Sequence, residues 1–140
     1  MNDRLDNLIS KANDDHLRFR KVGSFMNHTL IHMQKGFTLQ NVIETLKVHH
    51  QSCLAVCDSK LKVIGIVTQH DLIIQAAAGV TSKSVCKFHE RVFCVKETDS
   101  LKDVIVQFYK KKIKQCPVID NEGHLIGYLS RMDILSVLIE

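Results

Sequence analysis

Gly127-Tyr128-Leu129-Ser130-Arg131-Met132-Asp133-Ile134 repeats, residue type by residue type, the stretch Gly65-Ile66-Val67-Thr68-Gln69-His70-Asp71-Leu72. Each copy contains a glycine, two apolar residues, a hydroxyl residue, two variable residues, an aspartate and an apolar residue. The two copies start 62 residues apart, at positions 65 and 127. A period of this length that occurs twice is typical of two copies of one small unit rather than of a solenoid.

The repeat extends upstream of this motif at the same offset. Leu39 matches Leu101, and Val42 matches Val104, at the spacing of an apolar helix face. Thr38, whose side-chain oxygen can accept from a free backbone N–H, is the predicted N-cap of the first helix, and Ser100 caps its counterpart. The predicted buried face of the first helix comprises Leu39, Val42, Ile43 and Leu46.

Each copy is predicted to fold as β-α-β-β-α. Strands are expected over residues 30–33, 54–57 and 63–67, and again over 92–95, 116–119 and 125–129, with second helices from 71 to 78 and from 132 onward. These strands are apolar nearly throughout, as expected when both faces of a sheet are covered. Neither copy has enough core to be stable alone. We therefore expect an α/β (α+β) fold in which two repeats pack with pseudo-two-fold symmetry around a shared cleft.

The domain boundaries follow from the repeat. Residues 22–80 form the first repeat and residues 81–140 the second, and together they make one module. Residues 1–21 lie outside the repeat. Their apolar residues have the spacing of one helix face, which predicts an N-terminal helical leader; these residues are Leu5, Leu8, Ile9 and Ala12.

Composition excludes several classes of protein. No apolar run approaches the roughly 18 to 20 residues that span a bilayer, and the polar N-terminus lacks a signal peptide's apolar core, so we expect a cytoplasmic protein without a membrane partner. A net charge of +4 in 140 residues is modest for a nucleic-acid binder. The five cysteines form no C-x-x-C pair, which favours buried, reduced thiols.

One basic run leaves two interpretations open. Lys110-Lys111-Lys112-Ile113-Lys114 ends a predicted helix. Cations at that end complement the helix dipole and can simply be solvated. Alternatively, part of the run faces a bound polyphosphate.

The repeated motif also has two explanations. Thr68-x-x-Asp71 and Ser130-x-x-Asp133 resemble capping boxes, in which the hydroxyl and the acidic residue satisfy free N–H groups at a helix start. A hydroxyl and a carboxylate at a strand-to-helix turn can also hold the hydroxyls and phosphates of a nucleotide. The preceding glycines, Gly65 and Gly127, allow another chain or a ligand to approach the backbone closely.

The second copy resembles the CBS domain, the repeat named after cystathionine β-synthase, which occurs as tandem pairs called Bateman modules. The likeness is carried by residues 116–135, Cys-Pro-Val-Ile-Asp-Asn-Glu-Gly-His-Leu-Ile-Gly-Tyr-Leu-Ser-Arg-Met-Asp-Ile-Leu, and more weakly by residues 54–72. It covers about residues 22 to 140. The resemblance implies two β-α-β-β-α units packed into a disc that usually dimerises. It also implies that the clefts between repeats bind adenine nucleotides or related adenosyl ligands.

The resemblance assigns roles to particular residues. The aspartates that take the ribose hydroxyls are Asp71 and Asp133, since a carboxylate can accept from both cis hydroxyls. The hydroxyl residues beside ribose and phosphate are Thr68 and Ser130. The strands that line the adenine slot contain Leu30, Ile31, Val92 and Phe93. Backbone groups that read the adenine edge belong to Ser52 and Lys114, and the apolar contacts before the hydroxyl are Ile66 and Tyr128.

Departures from the family pattern make the two copies unequal. Ala55 stands where the second copy has Pro117, and Leu61 stands where it has the turn glycine Gly123. Arg131, in the second copy only, could reach a phosphate or could be an exposed first-turn arginine. We therefore predict that the second site is the better anion binder.

The sequence thus predicts a regulatory sensor rather than an enzyme, with no catalytic residues and no required cofactor. Its regulatory ligand would be AMP, ADP, ATP, NAD or S-adenosylmethionine, and it would signal to an unidentified protein target or across a homodimer. One alternative is a structural dimerisation module with empty clefts. A metal protein is a weaker alternative, because the eight histidines show no recognised ligand spacing.

Overall fold

The computed structural model describes residues 19–139. Most of the predicted N-terminal helical leader, residues 1–18, lies outside this range. Within it, a short 3-10 turn, Val22–Ser24, precedes two successive α/β units. No helix among residues 19–139 is long and apolar enough to cross a membrane.

Both repeats have the predicted β-α-β-β-α order. The first comprises β1 (His32–Gln34), α1 (Leu39–His49), β2 (Cys53–Cys57), β3 (Val63–Thr68) and α2 (Gln69–Ala77). The second comprises β4 (Val95–Lys96), α3 (Leu101–Lys111), β5 (Gln115–Ile119), β6 (Leu125–Ser130) and α4 (Arg131–Leu138). Each forms a three-stranded sheet in sequence order, in which the first pair of strands is parallel and the second antiparallel.

The first strand of each repeat starts later than predicted. Strands were expected over residues 30–33 and 92–95, but β1 and β4 begin at His32 and Val95. Pro117 has no N–H to donate to the first strand of its sheet. The equivalent N–H, that of Ala55, donates to the hydroxyl of Tyr128 instead. The parallel ladder therefore begins with His32 opposite Ala55 in the first repeat, and with Val95 opposite Val118, just beyond Pro117, in the second.

The caps of the first helix in each repeat were predicted correctly. The hydroxyl of Thr38 accepts from the N–H of Asn41 at 3.1 Å, and that of Ser100 from the N–H of Asp103 at 3.2 Å. The predicted buried face of α1 was wrong at one position. Its other three members are buried, but Ile43 is 45% exposed because it lies at the edge of the apolar stripe.

The two repeats exchange their N-terminal segments. Val22 and Met26, which precede β1, are buried in the core of the second repeat. Cys86, which follows the first repeat, is buried in the core of the first, and its N–H donates to the carbonyl of Phe37 at 2.9 Å. Each repeat is therefore completed by a segment that the sequence repeat assigns to the other.

Backbone contacts across the pseudo-two-fold axis join the two sheets. The N–H of Leu125 donates to the carbonyl of Leu61, and the N–H of Val63 to the carbonyl of Gly123, each at 3.0 Å. A third apolar cluster lies between the repeats and contains Cys53, Ala55, Cys57, Leu125 and Tyr128.

The protein's own chain closely approaches the two motif glycines, Gly65 and Gly127, as predicted. A Cβ at Gly65 would overlap the ring of Phe88, and one at Gly127 would overlap the carbonyl oxygen of Asn27. These contacts hold the exchanged segments against β3 and β6.

Candidate functional site

A cleft of about 380 Å³ opens between the two repeats. This volume is within the range of small-ligand pockets. Its lining combines β3 and the start of α2 from one repeat with the segment before β5 from the other. The lining residues are Ser52, Cys53, Ile66, Thr68, Gln69, His70, Phe93, Lys112, Ile113, Lys114, Gln115 and Cys116.

Five of the predicted site residues meet in this cleft: Ser52, Ile66, Thr68, Phe93 and Lys114. Their arrangement could not be read from either copy alone. The structure places Thr68, a hydroxyl residue of the first repeat, in the same cleft as Phe93, an adenine-slot residue of the second. A ligand in this cleft would contact both repeats.

The cleft favours an anion. Lys112, Lys114 and His70 line it, and the lining contains no carboxylate. Part of the basic run at residues 110–114 therefore faces the cleft, which is where a polyphosphate would have to lie under the second of its two interpretations. The ammonium of Lys111 lies 5.4 Å from the centroid of the Phe93 ring, in cation–π range.

Thr68 and Asp71 form a capping box at the start of α2. The hydroxyl of Thr68 accepts from the N–H of Asp71 at 3.2 Å, and Oδ2 of Asp71 accepts from the Thr68 N–H at 2.9 Å and its hydroxyl at 2.8 Å. The other carboxylate oxygen, Oδ1, lies 2.7 Å from Nε2 of His89, which is 66% exposed. Burial works to raise the pKa of Asp71, but the hydrogen bonds from Thr68 and His89 outweigh it and hold that pKa below its ordinary value.

Ser130 and Asp133 form the matching box at the start of α4. The hydroxyl of Ser130 accepts from the N–H of Asp133 at 3.1 Å, and Oδ2 of Asp133 accepts from the N–H of Ser130 at 2.9 Å. Within residues 19–139 no hydrogen bond reaches Oδ1 of Asp133. The capping explanation of the motif therefore holds in both copies, and the second copy keeps one accepting oxygen for another partner.

Arg131 makes a local contact in this structure. Its Nε donates to the carbonyl of Ile113 at 2.6 Å, across the turn between α3 and β5. The side chain remains exposed. This contact fits the second of the two interpretations, an exposed first-turn arginine.

Tyr128 lies between the repeats rather than in the lining of this cleft. It is wholly buried between the repeats. Its hydroxyl accepts from the N–H of Ala55 at 2.9 Å and donates to the carbonyl of Ile31 at 2.5 Å. Burial raises the pKa of Tyr128, so the hydroxyl remains a donor. Tyr128 thus connects the two repeats and is not among the residues that line this cleft.

The remaining predicted residues lie outside the lining of this cleft. They are Leu30, Ile31, Asp71, Val92, Ser130, Arg131 and Asp133. Ser52 does line it, but its N–H, predicted to read the adenine edge, donates to Oε1 of Gln115 at 3.0 Å.

Sequence reasoning missed Gln115. Its amide also donates to Oε1 of Gln51 at 3.1 Å, which ties the two repeats together at the floor of the cleft. The available signal was a polar residue at the start of an otherwise apolar strand, where the first copy has Cys53.

The cysteines are unpaired, as predicted, and four of the five are buried. Burial raises the pKa of Cys53 to about 12 and that of Cys94 to about 11, so both thiols are protonated at neutral pH. Cys53 and Cys116 line the cleft as small apolar groups. Among residues 19–139, no group of three or more His, Cys, Asp or Glu side chains is arranged to hold a metal ion.

A known protein family matches almost all of the described chain. The family model of the CBS domain matches twice, over residues 22–77 and 84–140. The inosine-5′-monophosphate dehydrogenase of Methanocaldococcus jannaschii is 32% identical over 116 residues. These residues make up 83% of this chain and 23% of that enzyme, so the chain spans about a quarter of this relative's length.

Solved structures share the fold. The CBS domain pair of protein MJ0100, in complex with 5′-methylthioadenosine and S-adenosyl-L-methionine, aligns with a TM-score of 0.75 at 20% identity and covers 84% of this chain and 94% of its own. CBSX2, in complex with AMP, aligns with a TM-score of 0.72 at 21% identity and covers 85% of this chain and 96% of its own.

Proposed function

The chain belongs to the CBS domain family, as a tandem pair that is not itself catalytic, and from this premise we propose that it is a regulatory module that binds an adenine nucleotide. The nucleotide occupies the cleft between the repeats. The observation that carries the proposal is the lining of this cleft, where Thr68 of one repeat meets Phe93 and Lys114 of the other.

The character of the lining supports a phosphorylated adenosine. Ile66 and Phe93 provide apolar walls for a base, and aromatic–base stacking is worth about 1–3 kcal/mol. Lys112 and Lys114 attract phosphate, and the start of α2 adds the partial positive charge of a helix N-terminus. S-adenosylmethionine carries a positive sulfonium, which this cation-rich lining disfavours. AMP, ADP, ATP and NAD are therefore the favoured ligands.

Regulation follows from the position of the cleft. A ligand that contacts both repeats stabilises the arrangement in which it binds best, and this difference in affinity is what shifts a conformational equilibrium. We propose that the shift is read by a protein target or by a second copy of the chain. Neither nucleic acid nor a membrane is a proposed partner, and a cytoplasmic location stays a prediction from the sequence.

A thermal-shift panel of AMP, ADP, ATP, NAD and S-adenosylmethionine tests the proposal. A ligand at 100 times its dissociation constant stabilises the folded protein by about 2.7 kcal/mol. We expect the phosphorylated ligands to raise the melting temperature and S-adenosylmethionine to have little effect. No shift with any of the five would favour the alternative, a dimerisation module whose clefts stay empty.

A further inference from the structure

The two clefts that the pseudo-symmetry relates are unequal, and we propose that Tyr128 seals one of them. The module then binds one nucleotide per chain, in the cleft beside Thr68. This inference rests on the proposed function, and it identifies Tyr128 as the residue that sets the number of ligands.

The repeat defines where a second cleft would lie. The offset of 62 residues relates Ile66 to Tyr128, Thr68 to Ser130 and Phe93 to Ile31. In the cleft beside Thr68, which is the open one, Ile66 is only half-buried and contributes to the lining. Its equivalent, Tyr128, has no exposed surface at all.

Hydrogen bonds hold Tyr128 in the equivalent space. The hydroxyl accepts from Ala55 and donates to Ile31, so it lies between the second strand of the first repeat and the segment that would line the adenine slot. A ligand that displaced the ring would leave the buried N–H of Ala55 without a partner. Such a loss opposes binding, because a buried unpaired donor is costly.

Residue types explain why only one cleft is closed. At the positions related to Ala55 and Tyr128, the chain has Pro117 and Ile66. Proline has no N–H and isoleucine has no hydroxyl, so the same contact cannot form on the open side. Alanine in the place of the family's proline, which seemed to weaken a ligand site, supplies the donor that Tyr128 needs.

One nucleotide beside Thr68 reverses the ranking that residue types favour, in which the second motif was the better site.

Isothermal titration of the full chain with AMP tests the inference. We expect a stoichiometry of one AMP per chain, and we expect Phe93→Ala to weaken binding by about tenfold through loss of stacking. Tyr128→Ile, which copies Ile66, should raise the stoichiometry to two. A stoichiometry of two in the wild-type chain would overturn the sealing and leave the proposed function intact. Failure of the wild type to bind any phosphorylated ligand would overturn the proposed function itself and, with it, the sealing.

A second measurement does not depend on the folding of the Tyr128 variant. Amide chemical shifts of the wild-type chain should change with AMP around Thr68, Phe93 and Lys114, and should stay unchanged around Ile31 and Ala55. Saturable changes at Ile31 and Ala55 that equal those at Thr68 would place a ligand in the second cleft and overturn the inference.

Discussion

Lys112 and His50 occupy equivalent positions at the ends of α3 and α1, and both have a left-handed backbone with φ of 54°. Their N–H groups donate back to Phe108 and Leu46, which closes each helix. Glycine is the usual residue at such an end, because a side chain there costs about 1–2 kcal/mol. Only one of the two, Lys112, also lines the open cleft.

Replacing each residue with glycine separates strain from ligand binding. Glycine removes the strain but makes the unfolded chain more flexible, so Lys112→Gly should raise the free energy of unfolding by a net of about 0.5–1 kcal/mol. The same substitution should weaken nucleotide binding about threefold, because it removes an exposed cation from the cleft. His50→Gly is the matched control, with a similar gain in stability and unchanged affinity. Equal losses of nucleotide affinity in Lys112→Gly and His50→Gly would contradict the position assigned to the nucleotide.

Asp71, which caps α2, makes the stability of the folded chain depend on pH. Its pKa is lowered in the folded protein, so its stabilising contribution is complete above the ordinary value of 3.8 and is lost as pH falls through the lower folded-state pKa. Asp71→Asn should cost about 1 kcal/mol at pH 7, through loss of the charged cap and of the contact with His89. Urea unfolding of both proteins from pH 7 to pH 3 measures the difference, which should shrink at the acidic end.

Asp133→Asn is the control for this experiment, because Asp133 has the same capping position but no hydrogen bond to a histidine among the described residues. It should cost less than Asp71→Asn at pH 7. A difference between wild type and Asp71→Asn that stays constant down to pH 3 would contradict the role given to the Asp71 carboxylate.

At the scale of elements, the repeat made the order of strands and helices predictable. The matched apolar positions and the turn residues located each element, and most boundaries fell within two residues of those predicted. The starts of β1 and β4 were missed because they depend on which backbone N–H groups remain available at Ala55 and Pro117. The exposure of Ile43 was missed because the edge of an apolar stripe depends on what packs beside it.

The exchanged segments are elements that no local pattern reveals. Val22 is fully buried in the second repeat although it precedes the first. Val22→Ala should therefore lower the free energy of unfolding by about 2 kcal/mol, as expected for two methyl groups lost from a core. Val85→Ala, at a position 64% exposed, should change it by less than about 0.5 kcal/mol. Equal effects in chemical denaturation would show that the segment does not pack as described.

At the scale of the whole molecule, the sequence predicted a cleft between repeats but not its composition. Thr68 and Phe93 were both predicted as site residues, yet the pattern of one repeat cannot say which strand of the other it meets. Tyr128 and Ile66 are equivalent in the repeat, and their different environments depend on a single hydroxyl and a single N–H at Ala55. Pseudo-symmetry made the two sites look alike in sequence, and packing made them different.

The equivalent helices α2 and α4 give the last prediction, which concerns assembly. Ile73 is 69% exposed and Leu135, which is its equivalent, is 51% exposed. Because apolar side chains at related positions favour a self-complementary contact, we expect a homodimer that uses these helices. Light scattering on the eluting protein should give twice the chain mass, and Ile73→Lys combined with Leu135→Lys should halve it. Val48→Lys, at a position of α1 that is also 69% exposed, should leave the dimer intact. A wild-type chain that stays monomeric at high concentration would rule this assembly out.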